Sequence, residues 1–368
     1  MAEEIQIRKK LVYSIFHKDK KQICDIFRNN TFEYDQVVGF LRYHKLDLFF
    51  YEIVKEDTYF NDQHLELLEM IKDQYEIVRY HMRMRKSEYA KLYQRFTKEQ
   101  IRFIILKGFG LDFTVYKDRS VRKYSDIDFL VDERDLDKVR DICFSLGYIQ
   151  GEYDRELKAI RPYDRNQIMM TRLYSHEISQ FAKVVTDDFN SNIDINFKFS
   201  WRGYKSMYES KITFLDAYEH TEVVHDGDVI LYVMDPYYNC LHLCCHFFNS
   251  CVNFLLDNEY VDGEDPAEFN FSRLNDIYET IKTKDFNFEY LKQLTEKYEV
   301  NEQVEFVFQL ISYFFEIKVP VFEFNDIDLE KLNYYFSRSG EKEFWGISFI
   351  TRIFESKEKL QYLKRIGF

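Results

Sequence analysis

Through the first 98 residues, apolar side chains recur every three or four positions. Leu65, Leu68, Ile71 and Tyr75 mark one such stripe, and the spacing predicts helix across residues 1–98. Arg79, Arg83, Arg85 and Lys86 continue that pattern on polar positions and read as a solvated helix face, with anion contact as the alternative. At Ile101 the period changes. Residues 101–106 form a short β-branched run stopped by Lys107-Gly108, which predicts a strand and a turn. A short helix over 111–116, a polar loop over 117–125, a strand over 126–131 and a helix over 133–146 ending at Gly147 follow. After an irregular stretch to about Tyr174, two more strands are expected over 176–185 and 193–199. Val223-Val224-His225 and 229–232, joined through Asp226-Gly227, read as a hairpin. Asp235-Pro236 then opens a helix through Leu256, with Asp as cap and Pro at the first helical position. The rest reads as helical, with a loop over 261–271.

This order of elements gives an α+β fold: an α/β core (99–235) between a helical N-terminal region (1–98) and a helical C-terminal domain (236–368). Only 11 Gly and 4 Pro among 368 residues agree with a helix-rich chain of few tight turns. The longest apolar stretch, 240–256, is broken by His242, His246, Asn249, Ser250 and Asn253, so it reads as a core helix and no membrane contact is expected. No apolar signal core follows Met1-Ala2-Glu3-Glu4, and the six cysteines lack a regular spacing; reduced thiols and a cytoplasmic location are the expectation.

Charge narrows the partners. With 51 Lys+Arg against 64 Asp+Glu, the formal charge is −13, which disfavours the broad basic face that long nucleic acids require. The 18 % aromatic content is read as compositional bias, not as a binding surface.

The informative pair is Asp126 and Asp128 in Asp-Ile-Asp-Phe-Leu-Val. On a strand both carboxylates leave one face, with stems ~7 Å apart. Two like charges at that distance repel by ~2 kcal/mol at an effective dielectric near 20, so a bridging cation such as Mg²⁺ explains their retention. The alternative is a solvated strand end. Three neighbours favour the cation. Lys107 and Gly108 lie at a strand-to-helix turn, where backbone can approach phosphate. Arg119, Arg122 and Lys123 reverse the global charge just before Asp126, and guanidinium groups suit phosphate. Asp194 sits in a second apolar strand, Ile-Asp-Ile-Asn-Phe, and would complete a carboxylate triad if that strand lay beside the first.

Leu106-Lys107-Gly108, Tyr116 and the segment from Arg122 to Val131 resemble the signature of the uncharacterised nucleotidyltransferase family of the polymerase-β-type superfamily. Residues 193–197, 242–246 and 273–276 are similar to later parts of that signature, so the resemblance runs over about 100–280. It implies a small mixed β-sheet nucleotidyltransferase core with helical flanks and Mg²⁺-dependent (or Mn²⁺-dependent) transfer of a nucleoside monophosphate, with ATP a natural donor. It further implies that Asp126, Asp128 and Asp194 hold metal and act in catalysis. Lys107, Gly108, Arg119, Arg122 and Lys123 would bind the nucleotide. Two departures are present: Phe109 stands where superfamily members often carry Ser, and Asn196 where they often carry His.

The expected reaction moves a nucleoside monophosphate from a nucleoside triphosphate to a hydroxyl of a protein or small molecule, releasing pyrophosphate. The alternative is a nucleotide-binding or scaffold protein without turnover. The cluster Cys240, His242, Cys244, Cys245, His246 and Cys251 looks metal-like in composition, but a single helix cannot turn all of these to one Zn²⁺, and a packed core helix is the preferred reading. His176-Glu177 reads as an ordinary strand pair, with substrate contact as the alternative. There is no G-x-S-x-G and no Walker pattern.

Overall fold

The computed structural model describes residues 2–117, 120–202, 207–209, 211–227, 229–256, 269–283, 285–319, 333–336, 342–344 and 348–354. Six helices open the chain: α1 (Ala2–Phe16), α2 (Lys20–Asn29), α3 (Tyr34–Tyr43), α4 (Asp47–Val54), α5 (Thr58–Gln63) and α6 (Leu65–Lys98). Local capping starts two of them. Asp19 accepts from the Gln22 backbone N–H at α2, and Asp57 from those of Tyr59 and Phe60 at α5. The middle of the chain holds β1 (Phe103–Leu106), α7 (Lys107–Thr114), β2 (Asp126–Val131), α8 (Leu136–Ser145), β3 (Ile149–Asp154), β4 (Ala159–Pro162) and α9 (Arg165–Tyr174). Then come β5 (Glu177–Thr186), β6 (Phe189–Asn196), β7 (Ser200–Arg202), β8 (Met207–Glu209), α10 (Phe214–Glu219), β9 (Thr221–Asp226) and β10 (Val229–Met234). Helices α11 (Pro236–Leu256), α12 (Phe271–Ile281), α13 (Phe288–Lys297) and α14 (Asn301–Phe315) follow, then β11 (Tyr334–Phe336), β12 (Lys342–Phe344) and α15 (Phe349–Phe354).

The central sheet has eight strands in the order β4-β3-β5-β6-β2-β1-β10-β9. It is mixed: β1 runs parallel to β10 and β2 parallel to β6, while the other pairs are antiparallel. This corrects the expectation of a small sheet. The stretch before Tyr174, which looked irregular, supplies the β3–β4 hairpin and α9. Neither had a readable apolar period, because β4 is an edge strand with no buried residue and α9 buries none of its side chains. The legible signal was the capping box of α9, in which Asp164 and Gln167 satisfy each other's backbone N–H groups. Close backbone packing also marks the hairpin: a Cβ at Gly151 would lie 2.3 Å from the Arg161 carbonyl oxygen.

The 223–232 hairpin and the Asp235-Pro236 helix start appear as expected, with Asp235 Oδ1 accepting from the backbone of Tyr237 and Tyr238 at 2.9 Å each. The C-terminal part is not wholly helical, since β11 and β12 pair within it. The loop expected over 261–271 falls, up to residue 268, outside the described residues, as do 355–368. No helix among the described residues is long and apolar enough to cross a membrane.

Strand alternation divides the apolar side chains between two cores. Phe103, Ile105, Ile127, Phe129, Val131, Ile193 and Ile195 face one core with the second half of α6 and with α8. Ile104, Leu106 and Leu130 face the other, which the N-terminal and C-terminal helices build together. Helix α6, 34 residues and about 50 Å long, serves both: Leu67, Leu68 and Ile71 enter the second core, and Met82, Tyr89, Leu92 and Phe96 the first.

Candidate functional site

Because Ile127, Phe129 and Val131 fill one core, period-2 alternation sends Asp126, Asp128 and Leu130 to the opposite face of β2. The same holds on β6, where Ile193 and Ile195 point into the core and Asp194 points away. Parallel pairing of β2 with β6 sets Asp128 directly beside Asp194, and Asp126 beside Asn192. Asp194, distant in sequence, thus shares one sheet face with Asp126 and Asp128. On the other side of β2, antiparallel pairing sets Leu106 against Asp128. Lys107 follows at once, with a φ of +49° in the left-handed region, and its Nζ donates to Asp128 Oδ1 at 2.9 Å.

Electrostatics at this face are unbalanced. Burial pushes the Asp128 carboxyl up to about 6; Lys107 opposes that rise and Asp126 adds to it. Burial likewise raises Asp194 well above the ordinary carboxylate range, with Asp128 and Asp126 reinforcing it. Lys107 experiences the reverse: burial works against its charge, but the Asp128 carboxylate outweighs it and holds the ammonium protonated.

Beside the acids opens a cavity of about 600 Å³. Seven Lys or Arg side chains line it against three Asp, in a protein of net charge −13. Lys107, Arg122 and Lys123 come from the segment around β1 and β2, Lys45 and Arg85 from the N-terminal helices, Arg155 from the end of β3 and Arg273 from α12. Asp126, Asp128 and Asp276 are the acids.

Several of these cations already hold protein carboxylates. Arg122 is buried and its Nε donates to both oxygens of Asp276, at 3.0 and 2.9 Å. Tyr116 donates to the same Asp276 at 2.7 Å. Lys123 Nζ lies 2.6 Å from Asp47 Oδ2, which is fully buried at the start of α4. Arg122 and Lys123 therefore tie the loop before β2 to the helical regions as well as lining the cavity. Arg119 lies outside the described residues.

Gly108 lines the cavity and also serves the packing. A Cβ there would sit 2.8 Å from Tyr124 Cβ and Cγ, so the absent side chain makes room for the Tyr124 ring. Phe109 points inward and packs on Tyr89, Phe113 and Tyr124. Asn196, buried, donates its side-chain amide to the Phe129 carbonyl at 3.3 Å.

The structure brings in residues that the sequence did not single out, and corrects one reading. Arg85 is not on a solvated face: it is 7 % exposed and turned to the cavity. Its neighbours in a polar run hid the helical phase that buries it. Lys45, at a left-handed bend of φ +54° between α3 and α4, gave no local signal. Helix α11 packs Cys240, Leu241, Cys244 and Cys245 into the core shared by the helical regions. His246 lines the cavity, and burial pushes its imidazole and that of His242 well below the ordinary range. The Cys251 side chain lies outside the described residues. His176 is half-buried near Lys107, and burial with the Lys107 charge brings it down to about 4.

Magnesium, which the resemblance implies, requires oxygen donors near phosphate. Asp126, Asp128 and Asp194 supply oxygen donors on one face, where burial first and the neighbouring acids second push the last two upward. The donors fit the ion in kind and share one sheet face. As the side chains stand, no group of three or more His, Cys, Asp or Glu among the described residues is gathered to hold a metal.

No curated protein and no solved structure matches the sequence. The family model described as uncharacterised nucleotidyltransferase matches residues 30–316, a span that takes in Lys45 and Arg85 as well as the segment around 100–280. With this sheet, this acid-bearing face and a match over most of its length, the chain belongs to the uncharacterised nucleotidyltransferase family.

Proposed function

We propose that the protein is an Mg²⁺-dependent nucleotidyltransferase that moves a nucleoside monophosphate from a nucleoside triphosphate, ATP among the donors, to a hydroxyl of a protein or small molecule. The observation that carries this reading is the cavity: seven basic side chains converge beside paired carboxylates in an otherwise acidic protein. A field of that sign attracts a polyphosphate, and the global charge still disfavours a long nucleic acid.

Asp126 and Asp128, with Asp194, would hold Mg²⁺, which supplies charge neutralisation on the phosphates and lowers the pKa of the attacking hydroxyl when bound. The acceptor oxygen bonds to the α-phosphorus, the bond from that phosphorus to the β-bridging oxygen breaks, and pyrophosphate leaves with the electron pair. Asp194 takes the hydroxyl proton. Its place beside Asp128 on the acidic face suits that role. Lys107, held charged beside Asp128, offsets charge developing on the transferred group. Gly108 at the start of α7, with Arg122 and Lys123, would line the phosphate path, and Arg119 would join them. The setting proposed is the cytoplasm.

Incubation with Mg²⁺, α-labelled nucleoside triphosphates and cell extract tests the reading. Label should pass to an acceptor with release of pyrophosphate, and Asp126→Asn should abolish both. Absence of label transfer together with absence of triphosphate binding by calorimetry would overturn it. A second reading, nucleotide binding without turnover, is favoured by the inward-turned Phe109 and by the Lys107 ammonium resting on Asp128. Metal-dependent triphosphate binding without pyrophosphate release would select it.

A further inference from the structure

Arg85 is a cavity-lining cation whose setting the mechanism leaves unexplained. Its side chain leaves α6 into the cavity, 7 % exposed, and its Nε meets no hydrogen-bond partner in the structure. A buried guanidinium with an unsatisfied donor is costly unless a ligand completes it. Its orientation is nevertheless fixed. The guanidinium carbon lies 5.0 Å from the centre of the Tyr124 ring and 5.4 Å from that of Phe189. Tyr124 is itself held, by its hydroxyl donating to Asp112 Oδ2 at 2.9 Å and by the space left at Gly108. The fork is thus preorganised before any ligand arrives, which lowers the cost of binding a planar pair of oxygens.

Direction follows from the order of charges. Asp194 pairs with Asp128 at one end of the acidic face, while Asp126 lies at the other, within electrostatic reach of Arg85. In an in-line displacement the nucleophile and the leaving group stand on opposite sides of the phosphorus. With the acceptor hydroxyl on the Asp194 side, the leaving group lies toward Asp126 and Arg85.

Resting on the nucleotidyltransferase reading, we propose that Arg85, clamped between Tyr124 and Phe189, is the binding residue for the β- and γ-phosphates that leave as pyrophosphate. Helix α6 then links the N-terminal helical region directly to substrate.

Calorimetry of the full-length protein in Mg²⁺ tests this with inorganic pyrophosphate, a non-hydrolysable nucleoside triphosphate and a nucleoside monophosphate. Arg85→Gln and Arg85→Lys should each weaken pyrophosphate and triphosphate binding about ten- to a hundredfold, the range for a charged hydrogen-bonding pair, and leave the monophosphate within about twofold. Millimolar guanidinium should restore part of the pyrophosphate affinity to Arg85→Ala, which opens the slot between the rings. Unchanged pyrophosphate binding in Arg85→Gln and Arg85→Lys, or an equal loss for pyrophosphate and monophosphate, overturns the assignment of Arg85 alone. If the wild-type protein binds neither pyrophosphate nor triphosphate, the nucleotidyltransferase reading falls and takes this assignment with it.

Discussion

Arg122 and Asp276 stand 154 positions apart in sequence, yet the Arg122 Nε donates to both Asp276 oxygens inside the protein. Burial alone would raise the Asp276 carboxyl, and Arg122 opposes it. The pair fastens the loop before β2 to α12. Removing one partner strands the other charge away from water, which costs about 3–5 kcal/mol. Asp276→Leu and Arg122→Met should each lose that much in urea denaturation. The double variant Arg122→Met with Asp276→Leu should recover most of it, because no uncompensated charge remains. A loss in the double variant equal to the sum of the single losses would show that the pair is not coupled.

Asp128 makes stability depend on pH. Its carboxyl, at about 6 in the folded chain, lies above its ordinary 3.8, so the folded state binds more protons than the unfolded state between those values. Stability of the metal-free protein should therefore fall as pH rises from about 4 to about 6, by ~1–3 kcal/mol. Asp128→Asn should flatten this part of the profile. At pH 7.5, Mg²⁺ should raise the melting temperature of the wild type and leave that of Asp128→Asn nearly unchanged.

Gly108→Ala should damage the site first through Tyr124. The new methyl group would meet the tyrosine ring at 2.8 Å, a clash expected to cost about 1–3 kcal/mol in thermal unfolding. Displacement of Tyr124 also releases one side of the Arg85 clamp. Pyrophosphate affinity should fall in parallel with that of Arg85→Lys; full retention of affinity would separate Gly108 from the clamp.

Lys45 sets function against stability. Burial, with Arg122 and Arg273 nearby, brings its ammonium down to about 8 from 10.5. Between those values the unfolded chain binds more protons, so the Lys45 contribution makes stability rise with pH. At pH 7 the charged side chain destabilises the free protein while presenting a cation to the cavity. Lys45→Gln should raise the melting temperature at pH 7 and weaken triphosphate binding. Wild-type binding should decline as pH passes through about 8, and the variant should lose that decline in calorimetric titrations.

Much of the core was legible because its signals are local. The change of period at Ile101 marks β1, and the alternation Asp126-Ile127-Asp128-Phe129 puts both acids on one face wherever the strand is placed. Asp235-Pro236 marked the start of α11 in the same way. The hairpin β3–β4 and α9 escaped because an edge strand and a surface helix carry no apolar period to read. The rest of the candidate site is a matter of long-range contact. Nothing near Lys45 or Arg85 distinguishes them from solvated cations, and nothing in Lys107-Gly108 says that the glycine serves Tyr124.

The identities of the acids and the first cations, and the shared face of Asp126 and Asp128, are properties of local sequence. Backbone alternation and turn chemistry act over a few residues and need no fold to be read. The parallel placement of β6 on β2, which brings Asp194 to Asp128, and the crossing of both cores by α6, which delivers Arg85 to the cavity, come from long-range packing. Strand pairing and helix packing are settled by burying apolar area across the whole chain, and that competition is not written in any local segment.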